Sequence, residues 1–379
     1  MNRQSLHALS GLLACVMVLA SSCLRSPDKE KYLLMVPRYT FSLPEEIVPY
    51  TPGITKAVPG VLYSVATSVP GDVVYLAGNL PIIITVPHGG SATPADIPDR
   101  SEDCDEYITT ANDVQTIALA CDIVEGLMNL THGKYPHVVI NNLCRTRIDQ
   151  NRNWGEDCNP VDGRGGDAWI DFHEVMTGAV AIGAVLGRFG AGLLVDLHGK
   201  PNSGEPDYSL YWESVMIGYN LTSTVLSYSD EVINDQGNGY AERSSLRFLS
   251  AREAHTIDLA GLLRGGMRGH ESFGALLQNG LDEINRDYGK DYTVVPSDLV
   301  PAPAYLYLSG EYNIKAFCGV KDGSIDNLYA YTPSRFISGF QLEVCREIRD
   351  SDPALRKDFA REVAQALRLY IARHYHLLL

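Results

Sequence analysis

The feature that most constrains this chain is a strand design used twice. Pro81-Ile82-Ile83-Ile84-Thr85-Val86-Pro87-His88-Gly89-Gly90 and Gly192-Leu193-Leu194-Val195-Asp196-Leu197-His198-Gly199 each run from apolar residues into a histidine and glycine. A continuous apolar, β-branched run reads as a strand buried on both faces, the pattern of a central parallel sheet. Pro87 cannot donate to a ladder, so pairing stops there. Gly89 and Gly90 permit backbone conformations that other residues avoid and let a ligand come close. Both histidines then emerge at the carboxyl ends of buried strands, where open α/β sheets place their ligands. One such histidine is most often structural. Two in one design call for partners.

Between the two strands the pattern changes period. Asp113 to Leu130 reads as a helix, apolar at Val114, Ile117, Ala118, Cys121, Val124 and Leu127. His137 to Leu143 reads as a strand, and Ala168 to Phe189 as a helix stopped by Gly190. This alternation implies right-handed crossovers and an α/β fold, its central sheet mostly parallel or mixed with helices on both faces. Gly60 to Leu80 reads as a hairpin around Pro70-Gly71. Further on, the pattern predicts a strand at Ser209 to Trp212, helices at Ala251 to Leu263 and Leu276 to Tyr288, and a late strand at Ile337 to Val344. Leu355 to His374 closes the chain as an amphipathic helix.

The N-terminus is set aside before any reasoning about fold. Arg3 precedes an apolar run, Leu12 to Ala20, too short for a stable membrane anchor. Leu19-Ala20-Ser21-Ser22-Cys23 resembles a lipoprotein signal, with an ordinary cleaved signal peptide as the alternative. The expectation is an exported, cell-envelope lipoprotein attached to a membrane only through lipid on Cys23. Residues 1–22 form the signal, 23–55 a Pro-rich tether and 56–379 a single α/β domain. A net charge of −15 argues against a nucleic-acid partner. Export permits disulfides. Cys104 and Cys158, both in polar loop sequence, are the first candidates for a bridge; Cys121, Cys144 and Cys345 are as well read as buried thiols.

His88 and His198 are what a catalytic zinc requires, with a carboxylate as third ligand and water in the fourth position. The third ligand is expected from an acid after the first strand: Asp113, with Asp105 and Glu106 as competitors. The bland alternative for Asp113 is a helix cap. Asp196, two residues before His198 on one strand face, is placed to orient that ring. Arg145-Thr146-Arg147-Ile148-Asp149-Gln150-Asn151-Arg152 suits a grip on a substrate carboxylate, or is a solvated basic loop. On the late strand Gln341 and Glu343 share a face opposite Phe340, Leu342 and Val344. A glutamate in such a strand is paired, functional as a general base, or solvent-facing at an edge.

Together these pieces resemble the N-formylglutamate amidohydrolase family. The matching segments are Pro87-His88-Gly89-Gly90, Arg145 with Asp149-x-Asn151-Arg152, Trp169 with His173, Asp196-Leu197-His198-Gly199, Gly218-Tyr219, Gly310-x-Tyr312-Asn313 and Gln341-x-Glu343. They run from about residue 80 to 350. The resemblance implies a zinc-carboxypeptidase-like fold and one zinc held by His88, Asp113 and His198. It also implies Glu343 as base and Arg145, Asn151, Arg152 and Tyr312 against a small acidic amide or peptide substrate. His173 is expected to hydrogen-bond substrate or stabilise an oxyanion. Two departures, Lys200-Pro201-Asn202 after Gly199 and Glu311 before Tyr312, bear on substrate shape. Export fits poorly with cytosolic formylglutamate breakdown, so an exported cell-wall amidase or carboxypeptidase and a non-catalytic ligand-binding lipoprotein are the rival expectations.

Overall fold

The structure, a computed structural model, describes residues 39–50, 56–65, 69–101, 104, 108–177, 180–200, 214–265, 271–297, 307–318 and 336–379. Its strands are β1 (Val48–Pro49), β2 (Leu62–Ser64), β3 (Val73–Leu76), β4 (Ile82–Val86), β5 (His137–Asn141), β6 (Gly192–Lys200), β7 (Ser214–Gly218), β8 (Thr293–Val295) and β9 (Ile337–Cys345). They form one mixed sheet of order β1-β2-β3-β5-β4-β6-β9-β7-β8. The apolar runs are its centre: β5, β4, β6 and β9 run parallel, and every residue of β4 is buried. Antiparallel strands attach outside them, β3 on β5 and β7 on β9. The α/β expectation therefore holds, in its mixed form.

Helix α1 (Thr116–Leu130) carries the chain from β4 to β5, and α2 (Gly163–Thr177) with α3 (Ala181–Phe189) carries it from β5 to β6. The first crossover moves one way along the sheet and the second moves back. Because parallel crossovers are right-handed, the two sets of helices cover opposite faces. Trp169, Phe172, Val175 and Val185 pack with Tyr75, Ile83, Val139 and Leu194 on one face. The later helices are α4 (Phe273–Tyr288), α5 (Tyr312–Phe317) and α6 (Pro353–His374). Of these, α6 packs on both α1 and α4. The reversal falls between β4 and β6, the place at which open α/β sheets bind their ligands. His88 follows the first of these strands and His198 lies near the end of the second.

Several elements differ from the sequence reading. The expected helix at Asp113 starts at Thr116, and Gln115 stands before it at φ 65°. That left-handed residue, and the bond from Asp113 N to His88 O (2.9 Å), tie residues 113–115 to the end of β4 instead of to the helix. The buried stripe is accordingly Leu119, Ala120, Ile123, Val124, Leu127 and Met128, while Val114 is 41% exposed. The expected helix at Ala168 to Phe189 is the two helices α2 and α3. That at Ala251 to Leu263 is also two, Arg247–Glu253 and Leu259–Arg264, the second capped by Asp258 accepting from Gly261 N. The expected strand at Ser209 to Trp212 and the N-terminal signal with Cys23 lie outside the described residues. Cys104 and Cys158 are disulfide-bonded. Cys121, Cys144, Cys318 and Cys345 are free thiols.

Candidate metal centre

The carboxyl ends of β4 and β6 gather His88, Asp113 and His198, all buried, with one potential ligand atom from each within 4.8 Å of the others. Each histidine uses its two ring nitrogens differently. His88 Nε2 lies 2.6 Å from Asp149 Oδ1, and His198 Nε2 lies 2.9 Å from Asp196 Oδ2. An ionised carboxylate only accepts, so Nε2 carries the proton in both rings. Both Nδ1 atoms then turn to Asp113 Oδ2, at 3.5 Å from His88 and 3.2 Å from His198. His88 Nδ1 is buried and has no hydrogen-bond partner among the described residues.

This arrangement provides a fit test for a cation. With both Nε2 atoms held on carboxylates, the two Nδ1 atoms and the Asp113 oxygen converge on a point that needs positive charge, either a proton on Nδ1 or a cation bound among the three. Ligands about 2.0–2.1 Å from a tetrahedral zinc lie about 3.4 Å from one another. The 3.2 and 3.5 Å separations match that edge. Asp149 and Asp196 fill the outer positions in which carboxylates orient metal-binding histidines. Two imidazoles and one carboxylate also form a ligand set that zinc accepts.

Burial opposes charge at this site, and the neighbours overcome it. For His198, desolvation is outweighed by Asp196, Asp113 and Glu343, which hold its pKa well above the usual value. Burial likewise raises the Asp113 pKa, but the His198 and His88 rings beside it bring it below the carboxylate range. Asp113 has no capping role: Gly199 N donates to its Oδ2 at 3.0 Å, and the helix begins three residues later. Asp105 and Glu106, the competing acids, lie outside the described residues.

The candidate base sits on the next strand. Glu343 pairs with His198 in the β6–β9 register. As β9 lies between β6 and β7, Glu343 is not on a solvent-facing edge strand. Gln341 Nε2 donates to Glu343 Oε1 at 2.9 Å. Burial raises the Glu343 pKa; His198 lowers it and Asp113 raises it further.

The arginine segment serves the protein's own acids. Arg145 Nε donates to Asp149 Oδ2 at 2.9 Å, backing the carboxylate that holds His88. Arg152 Nε binds Asp157 at 2.7 Å, and its Nη1 lies 3.4 Å from Glu311. Arg147 donates to the Ile97 carbonyl. Asn151 lies deeper, with Nδ2 3.3 Å from His198 Nε2 and Oδ1 accepting from Asn313 N. His173 is stacked on Trp169 with centroids 3.7 Å apart, and Tyr312 lies edge-on at 5.6 Å. Its Nδ1 meets the Trp169 carbonyl at 2.8 Å, and burial pulls its pKa to about 3. Since a carbonyl only accepts, Nδ1 holds the single proton of this neutral ring. Nε2 is left an acceptor, which is the wrong polarity for the expected oxyanion donor.

The glycines and Arg349 hold these pieces together. A Cβ on Gly90 would stand 2.2 Å from the Asn142 carbonyl carbon, and one on Gly199 would stand 2.2 Å from Arg349 Cζ. The close approaches at these two positions are therefore to the chain itself, not to a ligand. Arg349, buried, donates Nε to Val344 O (3.0 Å), Nη2 to Lys200 O (2.9 Å) and Nη1 to Val114 O. Val344 adjoins Glu343, Val114 adjoins Asp113, and Lys200 is two residues from His198. The only sequence signal for this clamp is an arginine shortly after the late strand. Asp149 was legible as part of the arginine cluster, but not as the support of His88.

No protein-family model and no curated protein matches the chain. A solved structure, N-formylglutamate amidohydrolase from Ralstonia eutropha JMP134, is similar at a TM-score of 0.42 and 15% identity, over 79% of this chain and 98% of that one. The chemistry assigned to the site rests on its own geometry.

Proposed function

We propose that the chain is a zinc-dependent amidohydrolase acting on a small amide substrate with an acidic group. The convergence of two carboxylate-held imidazole Nδ1 atoms on Asp113 Oδ2 carries this reading. Bound there, zinc supplies Lewis-acid polarisation of an amide carbonyl and of the attacking water. His88, His198 and Asp113 hold it; Asp149 and Asp196 keep the rings turned. Glu343 takes the proton of the attacking water on Oε2, since Gln341 occupies Oε1, and returns it to the leaving amine. Its raised pKa suits both halves of that transfer. Asn151 and Tyr312 border the substrate, and His173 buttresses Tyr312.

Export and lipid attachment at Cys23 are proposed from the N-terminal sequence alone. The test is purification without metal, titration with zinc, and assay of N-formyl-L-glutamate hydrolysis. One tightly bound zinc and zinc-dependent turnover, both lost in H88A, are the expected results. Turnover that is indifferent to zinc, or zinc binding unaltered by H88A, overturns the reading.

A further inference from the structure

A pocket of about 640 Å³ is lined by Arg152, Glu156, Asp157, Glu311, Tyr312 and Lys315, with Asn153, Trp154 and Gly155 completing its wall. Three short links tie this wall to the metal centre. Arg152 follows Asn151, whose amide is 3.3 Å from His198 Nε2. Glu311 N donates to Gln341 Oε1 at 2.7 Å, and Gln341 in turn donates to Glu343. Tyr312 precedes Asn313, which donates to Asp196 Oδ1 at 3.2 Å. The wall is thus one or two contacts from a zinc-orienting acid, a zinc-site histidine and the base.

The pocket holds two cations, Arg152 and Lys315, against three acids, Glu156, Asp157 and Glu311. Arg152 carries Asp157 and Glu311, and Glu156 Oε2 accepts from Asn153 N at 3.0 Å. Arg145 lies buried on Asp149. Lys315, on α5, is partly exposed in the pocket, and among the described residues no acid lies within ion-pair distance of it. We infer that Lys315, in place of Arg145 and Arg152, takes the carboxylate of the substrate and sets the preference for an acidic amide. This inference rests on the proposed function, and it moves the acid-binding role from the segment that the sequence favoured to a helix it did not.

Its test has two readouts on zinc-loaded wild type, K315Q and K315R. The first is calorimetric titration with glutarate, a dicarboxylate with no bond to cleave. The second is kcat/KM for N-formyl-L-glutamate relative to its uncharged diamide. Loss of one charge-assisted bond predicts about tenfold weaker glutarate binding and about a tenfold lower acid-to-diamide ratio in K315Q, both largely restored in K315R. Equal glutarate affinity in wild type and K315Q, or an unchanged ratio, overturns the inference. Lysine-dependent glutarate binding without hydrolysis of either compound supports Lys315 and sinks the amidohydrolase reading instead.

Discussion

The two halves of the candidate metal centre share one sequence design but differ in what stands behind it. Behind His88, Asp149 is braced by Arg145 at 2.9 Å and Arg100 at 3.8 Å. Behind His198, the donors that brace Asp196 among the described residues are neutral, the Thr85 hydroxyl and the Asn313 amide (3.2 Å). One carboxylate is neutralised by arginines. The other keeps its charge directed at the imidazole, and Asp196 leads the interactions that raise the His198 pKa against burial. A repeated motif therefore yields one half held by a buried ion-pair network and one half held by a bare charge that a bound cation would complete.

Substitutions should separate these halves. The largest effect belongs to H88A and H198A, each expected to take zinc content from one per chain to none by metal analysis. Next is D149N, which leaves Arg145 and Arg100 buried without their acid. Removing one partner of a buried pair costs about 3–5 kcal/mol, so urea unfolding of the metal-free protein should show a loss on that scale. D196N removes an acid with no buried cation behind it. It should cost less stability than D149N, because His198 can shed its proton when its acid is lost, yet bind zinc about 10–100-fold more weakly in a chelator competition. Equal stability losses for D149N and D196N would erase the contrast.

A buried histidine outside the candidate site supplies the control. Among the described residues His137 faces no carboxylate; Tyr75 Oη is 2.6 Å from its Nδ1, and burial lowers its pKa to about 4. Its folded pKa lies below the unfolded value near 6.5, so the unfolded chain takes the proton first as pH falls. Stability is full above about pH 6.5 and declines towards pH 4. Between pH 7 and 5.5 the loss should be about 1 kcal/mol, read as a difference between wild type and H137Q in urea unfolding at the two pH values.

What the sequence disclosed follows the range of its signals. Apolar runs and period-2 alternation located β4, β6 and β9, and with them His88, His198, Glu343 and the Asp196 bond to His198, all decided within a few residues. Asp113 was found as an acid near a helix start, although the structure sets it in the loop before α1, hydrogen-bonded to the His88 backbone. The support of His88 by Asp149 spans 61 residues and the Arg349 bond to Val114 spans 235. No local periodicity encodes such pairs. The arginine segment misled for the same reason: its composition suits a carboxylate, but only the fold shows that Asp149, Asp157 and Glu311 are already there.

The most direct test is an anomalous-difference map at the zinc edge from crystals of the zinc-loaded protein. A single peak about 2.0–2.2 Å from His88 Nδ1, His198 Nδ1 and Asp113 Oδ2, with both Nε2 atoms still on Asp149 and Asp196, is predicted. A peak ligated through either Nε2, or no peak among these three residues, would contradict the account.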